Sequence, residues 1–439
     1  MPGPKRISAR YIVPVRPVRT ILEHHSVIID GDTIAAVLAT DQAARRFPEA
    51  QLIDLPHHVL LPGLINMHTH SPMTLLRGFA DDLPLQVWLN DHIWPAERQF
   101  VSPEFVADGT RLAIAEMFRA GTTCFNDNYF FPDVMADVVE QAGMRASIGL
   151  PVIELSTAWA GHVDEYLEKA VSLLQTSRNS PLVSFTLAPH APYSVTDNTL
   201  VELAELSLEF LVPVHMHTLE TAWDIEHSLE VHGIHPLQRL KKFQLLNDRL
   251  LAVHMTQLTL DDIRLLAESS VHVIHCPQSN LKLAGGVCPV NELLRAGINV
   301  AAGTDGAASN NDLDLLSEIQ TAALMAKIQS GNAANLDSFT ALEMVTINAA
   351  EALSMESRMG SIEQGKWADL AALDLNVPET VPIYNLVSQL VYAASSRQFT
   401  DVWVAGKRVL SGGQLKTLDL PAIMESTASW QSKLAEFSR

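Results

Sequence analysis

Two textures of hydrophobic and polar residues alternate along the chain. Over about residues 6–55, apolar residues gather in short runs at 9–13, 26–29 and 33–37. Gly31-Asp32 separates the last two runs and suits a hairpin turn. The same texture returns beyond Gly365, at 368–373 and 401–409. The two ends are therefore predicted to form one small β domain, without long helices until the final tail. Between them lie eight short apolar strands, ending near His70, Asp127, Ile153, His190, His217, His254, Cys276 and Asp305. Helix-length segments such as 103–120 and 260–269 separate them. Alternation at this pace argues for parallel β/α units, and eight of them for a closed (β/α)8 barrel of the TIM type. A doubly wound sheet is the structural rival, but side chains of one chemical kind at the strand ends favour the barrel. The predicted class is thus α/β, with a catalytic barrel at 62–365 and a composite β-sandwich domain from 1–61 and 366–439.

Composition narrows the partners. Of 439 residues, 47% are hydrophobic and 18% charged, which suits a large core and excludes a disordered chain. The net charge of −20 argues against nucleic acid, whose phosphates need a basic surface, and fits a protein that meets small molecules. No run approaches the ~18 apolar residues of a membrane span. Lys5, Arg6, Arg10, Arg16 and Arg19 are broken by prolines, with no apolar run of a signal peptide. Cys124, Cys276 and Cys288 are too scattered for a disulfide framework. A cytoplasmic location is the expectation.

Histidines and carboxylates carry the candidate chemistry. His68-Thr69-His70 closes the first barrel strand, and residues i and i+2 of a strand face one side. Two imidazoles aimed at one place suit zinc or another divalent transition metal, although the motif alone also occurs by chance. His215-Met216-His217 repeats the arrangement, with Glu220 three residues beyond. Asp305 ends the last strand between Gly303 and Gly306, where a plain turn residue would also fit. Taken one by one these are weak, but all fall at strand ends on the single face where such barrels carry chemistry. Spacing leaves open whether His215 or His217 meets a metal, and whether His254 is a ligand or a polarising neighbour. His272 and His275 face opposite sides, so His272 is expected to be structural. His24, His25, His57, His58, His162, His227, His232 and His235 are expected in loops or helices, as surface or packing residues. Residues 360–366 imitate a phosphate loop, but Trp367 replaces the required Ser/Thr. The Pro-Cys-x-x-Cys pattern of cytidine-type deaminases and the Gly-x-Ser-x-Gly elbow are absent. The Leu and Met residues of 315–325 fit a core stripe.

These residues resemble the amidohydrolase superfamily over nearly the whole chain. Pro-Gly-Leu-Ile-Asn-Met-His-Thr-His at 62–70 is similar to its first-strand motif, and Gly-Thr-Asp-Gly at 303–306 to its last. Residues 360–370 resemble the return into the composite β domain, which explains the false phosphate loop. Finer motifs at 70–78, 189–194 (Pro-His-Ala-Pro-Tyr-Ser) and 275–280 (His-Cys-Pro-Gln-Ser-Asn) resemble the 5′-methylthioadenosine/S-adenosylhomocysteine deaminases. Triazine chlorohydrolases share much of this pattern.

The resemblance implies one zinc per subunit, with iron or manganese as alternatives, held by His68, His70, His217 and Asp305. Members with two metals commonly bridge them through a carboxylated lysine on the fourth strand, and 183–190 contains none. Zinc would lower the pKa of water toward neutrality. Asp305 would take the water's proton, Glu220 would protonate N1 of adenine as C6 is attacked, and His254 would steady the attacking oxygen. Ammonia would leave, giving the inosine-type product. Glu97 and His190 would contact the nucleoside, Glu97 by accepting from two ribose hydroxyls.

Residues 150–168 contain no Lys or Arg to pair with a homocysteine carboxylate. Trp159 and Leu155 would instead wall an apolar pocket, which favours methylthioadenosine over S-adenosylhomocysteine or adenosine. Members of such families often form homo-oligomers. The rival readings are an aminohydrolase or chlorohydrolase of guanine, a pterin or an s-triazine, and a non-catalytic assembly barrel, against which the intact set of ligands speaks.

Overall fold

A computed structural model describes residues 3–176 and 180–437. Four strands come first: β1 (Lys5–Ile12), β2 (Leu22–Asp30), β3 (Thr33–Ala39) and β4 (Gln51–Pro62). Eight follow: β5 (Leu64–Thr69), β6 (Thr122–Asn128), β7 (Arg145–Val152), β8 (Val183–Pro189), β9 (Val214–Thr218), β10 (Leu250–His254), β11 (His272–His275) and β12 (Val300–Ala302). The last four are β13 (Leu370–Asp374), β14 (Phe399–Val404), β15 (Lys407–Ser411) and β16 (Gln414–Leu415).

Strands β5 to β12 pair in sequence order, every pair parallel. Strands β5, β6 and β7 are buried along their whole length, as expected of parallel strands covered on both faces. The barrel closes where the Asp305 amide donates to the His68 carbonyl (2.9 Å). Gly303 is required there, because a Cβ would stand 2.5 Å from the His68 nitrogen. Helices fill the connections where the sequence supplies starts and stops. Helix Pro103–Arg119 begins with Ser102 accepting from the Phe105 amide (3.2 Å) and Pro103 in its first turn, and Gly121 follows it at φ +79°. Helix Leu315–Ser330 buries Leu315, Leu316, Ile319, Ala322 and Ala326; of the Leu and Met residues expected in its core stripe, Leu324 instead faces outward and Met325 is half-buried, because Ala322, Ala323 and Ala326 occupy the packed face.

The remaining strands form one mixed sheet in the order β16-β15-β14-β13-β4-β1-β2-β3. β1 runs parallel to β4, and β13 antiparallel to it, so both ends of the chain meet on β4. The sheet curls over itself. The Ile34 amide donates to the Lys366 carbonyl, and Val27, Ile34, Leu370 and Trp403 share one core. His24, His25, His57 and His58 sit on β2 and β4, not in the loops or helices expected of them, because each strand is continuously buried only in its second half and the first half carries polar side chains on both faces. Below the barrel, Arg145 and Asp369 form a buried ion pair (Nε–Oδ2 2.7 Å) that ties β7 to the sheet. Among the described residues no helix is long and apolar enough to cross a membrane.

Candidate active site

The barrel strands deliver their polar ends to one face. His68 sits on β5, His70 just beyond it, His217 on β9, His254 at the end of β10 and Asp305 just after β12. Asp305 Oδ1 lies 3.2 Å from His68 Nε2 and 3.3 Å from His70 Nε2. Burial opposes charge on Asp305, but the bonds and charges of His68 and His70 hold its carboxyl well below the usual range. Burial also works against a proton on His70, yet Asp305 and Asp127 lift it to about 9, while burial drops His68 to about 4.

This cluster fits a bound cation. His70 Nδ1 donates to the Asn128 carbonyl and His217 Nδ1 to the His190 carbonyl, each at 2.6 Å. Once an arriving cation displaces the proton that Asp305 favours on His70, both Nε2 atoms carry lone pairs, and they face each other across 3.3 Å. Apart from its 3.2 Å contact with Asp305 Oδ1, His68 Nε2 is buried without a hydrogen-bond partner. Facing lone pairs and an ionised carboxylate, all nitrogen and oxygen donors, suit zinc or a similar divalent ion. His68, His70 and Asp305 form one group of convergent donors, and His68, His217 and His254 another. The outer partners are also in place, as is usual around metal ligands. Ser279 and Ser309 donate to Asp305 Oδ2 at 2.6 and 3.0 Å, and His215 Nε2 meets His68 Nδ1 at 2.9 Å. His215 thus stands behind His68, whereas His217 faces the cluster, a distinction that spacing left open.

His254 and Asp305 adopt left-handed backbone conformations, φ +76° and +63°, unusual for non-glycine residues and frequent at functional sites. His254 Nδ1 bonds Asn280 Oδ1 (2.8 Å), which turns its Nε2 toward Glu220 Oε1, 3.7 Å away. Burial, with the charges of Asp305 and Asp224, pushes the Glu220 carboxyl up to about 7 against the pull of His254.

Above these groups opens a cavity of about 440 Å³. Glu97 enters it from helix Trp94–Phe100 and accepts from the Tyr129 hydroxyl (2.6 Å), and burial raises its pKa. His190, lowered to about 4 by burial, lines it with its ring 4.9 Å from that of His217. Trp159 does not reach the lining. Its ring packs on Tyr166 at 5.5 Å with the Lys169 ammonium over it, because the segment before helix Val163–Thr176 turns it into the core. Leu155 does line the cavity, and Trp88 and Trp94 supply the aromatic wall. Arg98 lines it as well, a cation arriving from an element other than 150–168. Its adjacency to Glu97 is the only trace of it in the sequence.

The chain matches the amidohydrolase family over residues 59–409. It is 47% identical to a 5-methylthioadenosine/S-adenosylhomocysteine deaminase of Teredinibacter turnerae, covering 98% of this chain and 97% of that one. A deaminase of the same description from Saccharophagus degradans is 46% identical, over 98% and 96%. Among solved structures, an adenosine deaminase from Xanthomonas campestris with bound zinc superposes with a TM-score of 0.98 at 50% identity, over 99% of each chain. An atrazine chlorohydrolase from Arthrobacter aurescens superposes at 0.91 over 97% of this chain and 99% of that one, but at 23% identity it speaks for the fold alone.

Proposed function

The chain belongs to the amidohydrolase family, and on that footing we propose that it is a metal-dependent hydrolytic deaminase of adenine nucleosides. Its preferred substrate is 5′-methylthioadenosine, with S-adenosylhomocysteine and adenosine poorer. The observation that carries this reading is a protonatable Glu220 beside His254, facing a cluster of metal donors at the floor of a nucleoside-sized cavity. The names and zinc of the similar proteins support it.

His68, His70, His217 and Asp305 would hold one zinc, whose Lewis acidity lowers the pKa of water at the site. Every other step falls to the protein. Asp305, oriented through its Oδ2 by Ser279 and Ser309, accepts the water's proton at Oδ1. His254 Nε2 steadies the oxygen as it adds to C6. Glu220, protonated near neutral pH, gives its proton to N1, so the ring accepts the electrons. The amino group takes the proton held by Asp305 and leaves as ammonia, while the hydroxyl proton passes to the Glu220 carboxylate, so C6 becomes a carbonyl and both acids return to their starting states. Glu97 accepts from the ribose hydroxyls and His190 meets the nucleoside. Trp88, Trp94 and Leu155 wall the methylthio end, while Arg98 gives a homocysteine carboxylate some purchase. Residues 62–365 are the catalytic barrel, and 1–61 with 366–439 its companion domain.

The test is to follow the adenine ultraviolet spectrum of methylthioadenosine with zinc-loaded protein, running Glu220→Gln in parallel. A shift to the inosine-type spectrum, lost in the variant, is expected. Absence of any shift from protein that holds zinc would refute adenine as the substrate base. A higher kcat/KM for S-adenosylhomocysteine than for methylthioadenosine would overturn the apolar-wall preference.

A further inference from the structure

Among the described residues no protein group donates a hydrogen bond to the Glu220 carboxylate, whose Oε1 lies 3.7 Å from His254 Nε2. Its place is therefore decided by its own backbone. That backbone is held from two sides. On the amide side, Asp224 Oδ2 accepts from the Glu220 amide (2.7 Å) and the Thr221 amide (3.3 Å), as part of the cap of helix Ala222–His232. On the carbonyl side, Thr256 Oγ1 donates to the Glu220 carbonyl (2.7 Å). Gln257 Nε2 donates to that same hydroxyl (2.9 Å) and to the Gly285 carbonyl (2.7 Å); the Leu219 and Gly285 carbonyls stand 3.1 and 3.2 Å from the hydroxyl, so the Glu220 carbonyl is the shortest of three acceptors for its one hydrogen.

Thr256 also stands two residues beyond His254. The turn between them is tight, since His254 and Met255 have φ of +76° and +51°, and Leu219 opposite has +51°. The two turns are stitched together by Met255 N to Thr218 O (3.1 Å) and Thr256 N to Leu219 O (3.0 Å). One hydroxyl thus joins the segment presenting His254 to the segment presenting Glu220. We propose that Thr256, backed by Asp224, is a positioning residue that sets the Glu220 carboxylate against His254. Its catalytic consequence rests on the reading of Glu220 as the proton donor. A displacement near 1 Å of such a group costs on the order of 100-fold in rate.

Thr256→Val keeps the branched shape and removes only the hydroxyl, and Thr256→Ser keeps the hydroxyl. With methylthioadenosine and zinc-loaded protein, Thr256→Val is expected to lower kcat ~10–100-fold with KM changed less than ~3-fold, while Thr256→Ser stays within ~3-fold of the parent. Added to Glu220→Gln, Thr256→Val should change the residual kcat less than ~2-fold, because it acts through the group already removed. A crystal structure of Thr256→Val should show the Glu220–His254 separation grown from 3.7 Å by roughly 1 Å. The proposal is overturned by parental kcat in Thr256→Val, by an equal loss in both backgrounds, or by an unchanged separation. Should the parent protein deaminate nothing, the proposed reaction fails, and the crystallographic comparison still decides the clamp.

Discussion

Asp369→Ala should cost about 4 kcal/mol of stability while leaving catalysis intact. The carboxylate and its partner Arg145 are each only 4% exposed. Asp369 accepts from Arg145 Nε (2.7 Å), from Arg145 Nη2 (3.2 Å) and from the Ala405 amide (2.7 Å). Arg145 in turn donates to the Pro181 carbonyl (2.6 Å) and lies 3.7 Å over the Trp367 ring, so it cannot swing into water when its partner is lost. Removing one member of a buried pair leaves an uncompensated charge, typically ~3–5 kcal/mol. Replacing both members with apolar residues of similar size is far cheaper, so Arg145→Met with Asp369→Leu should recover most of the loss. Urea unfolding of the zinc-saturated protein, followed by tryptophan fluorescence, measures both, and the slope should not change. Arg145 opens β7, at the end of the barrel away from the candidate site, so kcat should stay near the parent value. A loss below ~1 kcal/mol for Asp369→Ala, or a double variant as unstable as the single, would refute the argument.

Three other outcomes are expected. Because Glu220 must be protonated to donate and its carboxyl is pushed up to about 7, kcat/KM should fall as pH rises through that value. A rate that climbs through this range would remove Glu220 as the acid. Chelation should abolish deamination and lower the unfolding temperature, and zinc at ~1,000 times its Kd should restore about 4 kcal/mol; calorimetry with and without zinc checks it, and identical scans would argue against a resident ion. His215→Asn removes the support behind His68 Nδ1 and should weaken zinc binding ~10–100-fold with kcat near the parent at saturating metal. Competition with a chromophoric chelator gives the affinity, and an unchanged Kd would count against that support.

Much of the architecture was legible because barrel strands are short apolar runs that stop where chemistry begins. His254 closes β10 and His275 closes β11, one position from the end expected at Cys276. Depth within the barrel was not legible. His215 and His217 share a face by alternation, yet one sits a layer below the other, and period-two spacing carries no information on layers. Trp159 was misplaced for a related reason: a loop has no periodicity to tell an aromatic lining a cavity from one plugging the core. The wall that replaces it comes from helical residues 85–100, where Trp88 and Trp94 look like ordinary amphipathic positions until the fold lays that helix over the strand ends. Asn280, Ser279 and Ser309 act on His254 and Asp305 from other elements, so no local spacing could reveal them.

The pairing of β4 has a consequence for how the protein is made. Leu60 on β4 lies opposite Ala372 on β13. A ribosome must therefore complete the entire barrel before that edge of β4 finds its neighbour. β4 runs through Gly63 into the first barrel strand, so an apolar, unpaired strand edge is present during most of synthesis. Such edges invite association with other nascent chains. Slowing translation after β12 should prolong this vulnerable interval, and pre-expressing a chaperone that shields strand edges should shorten its effect on yield.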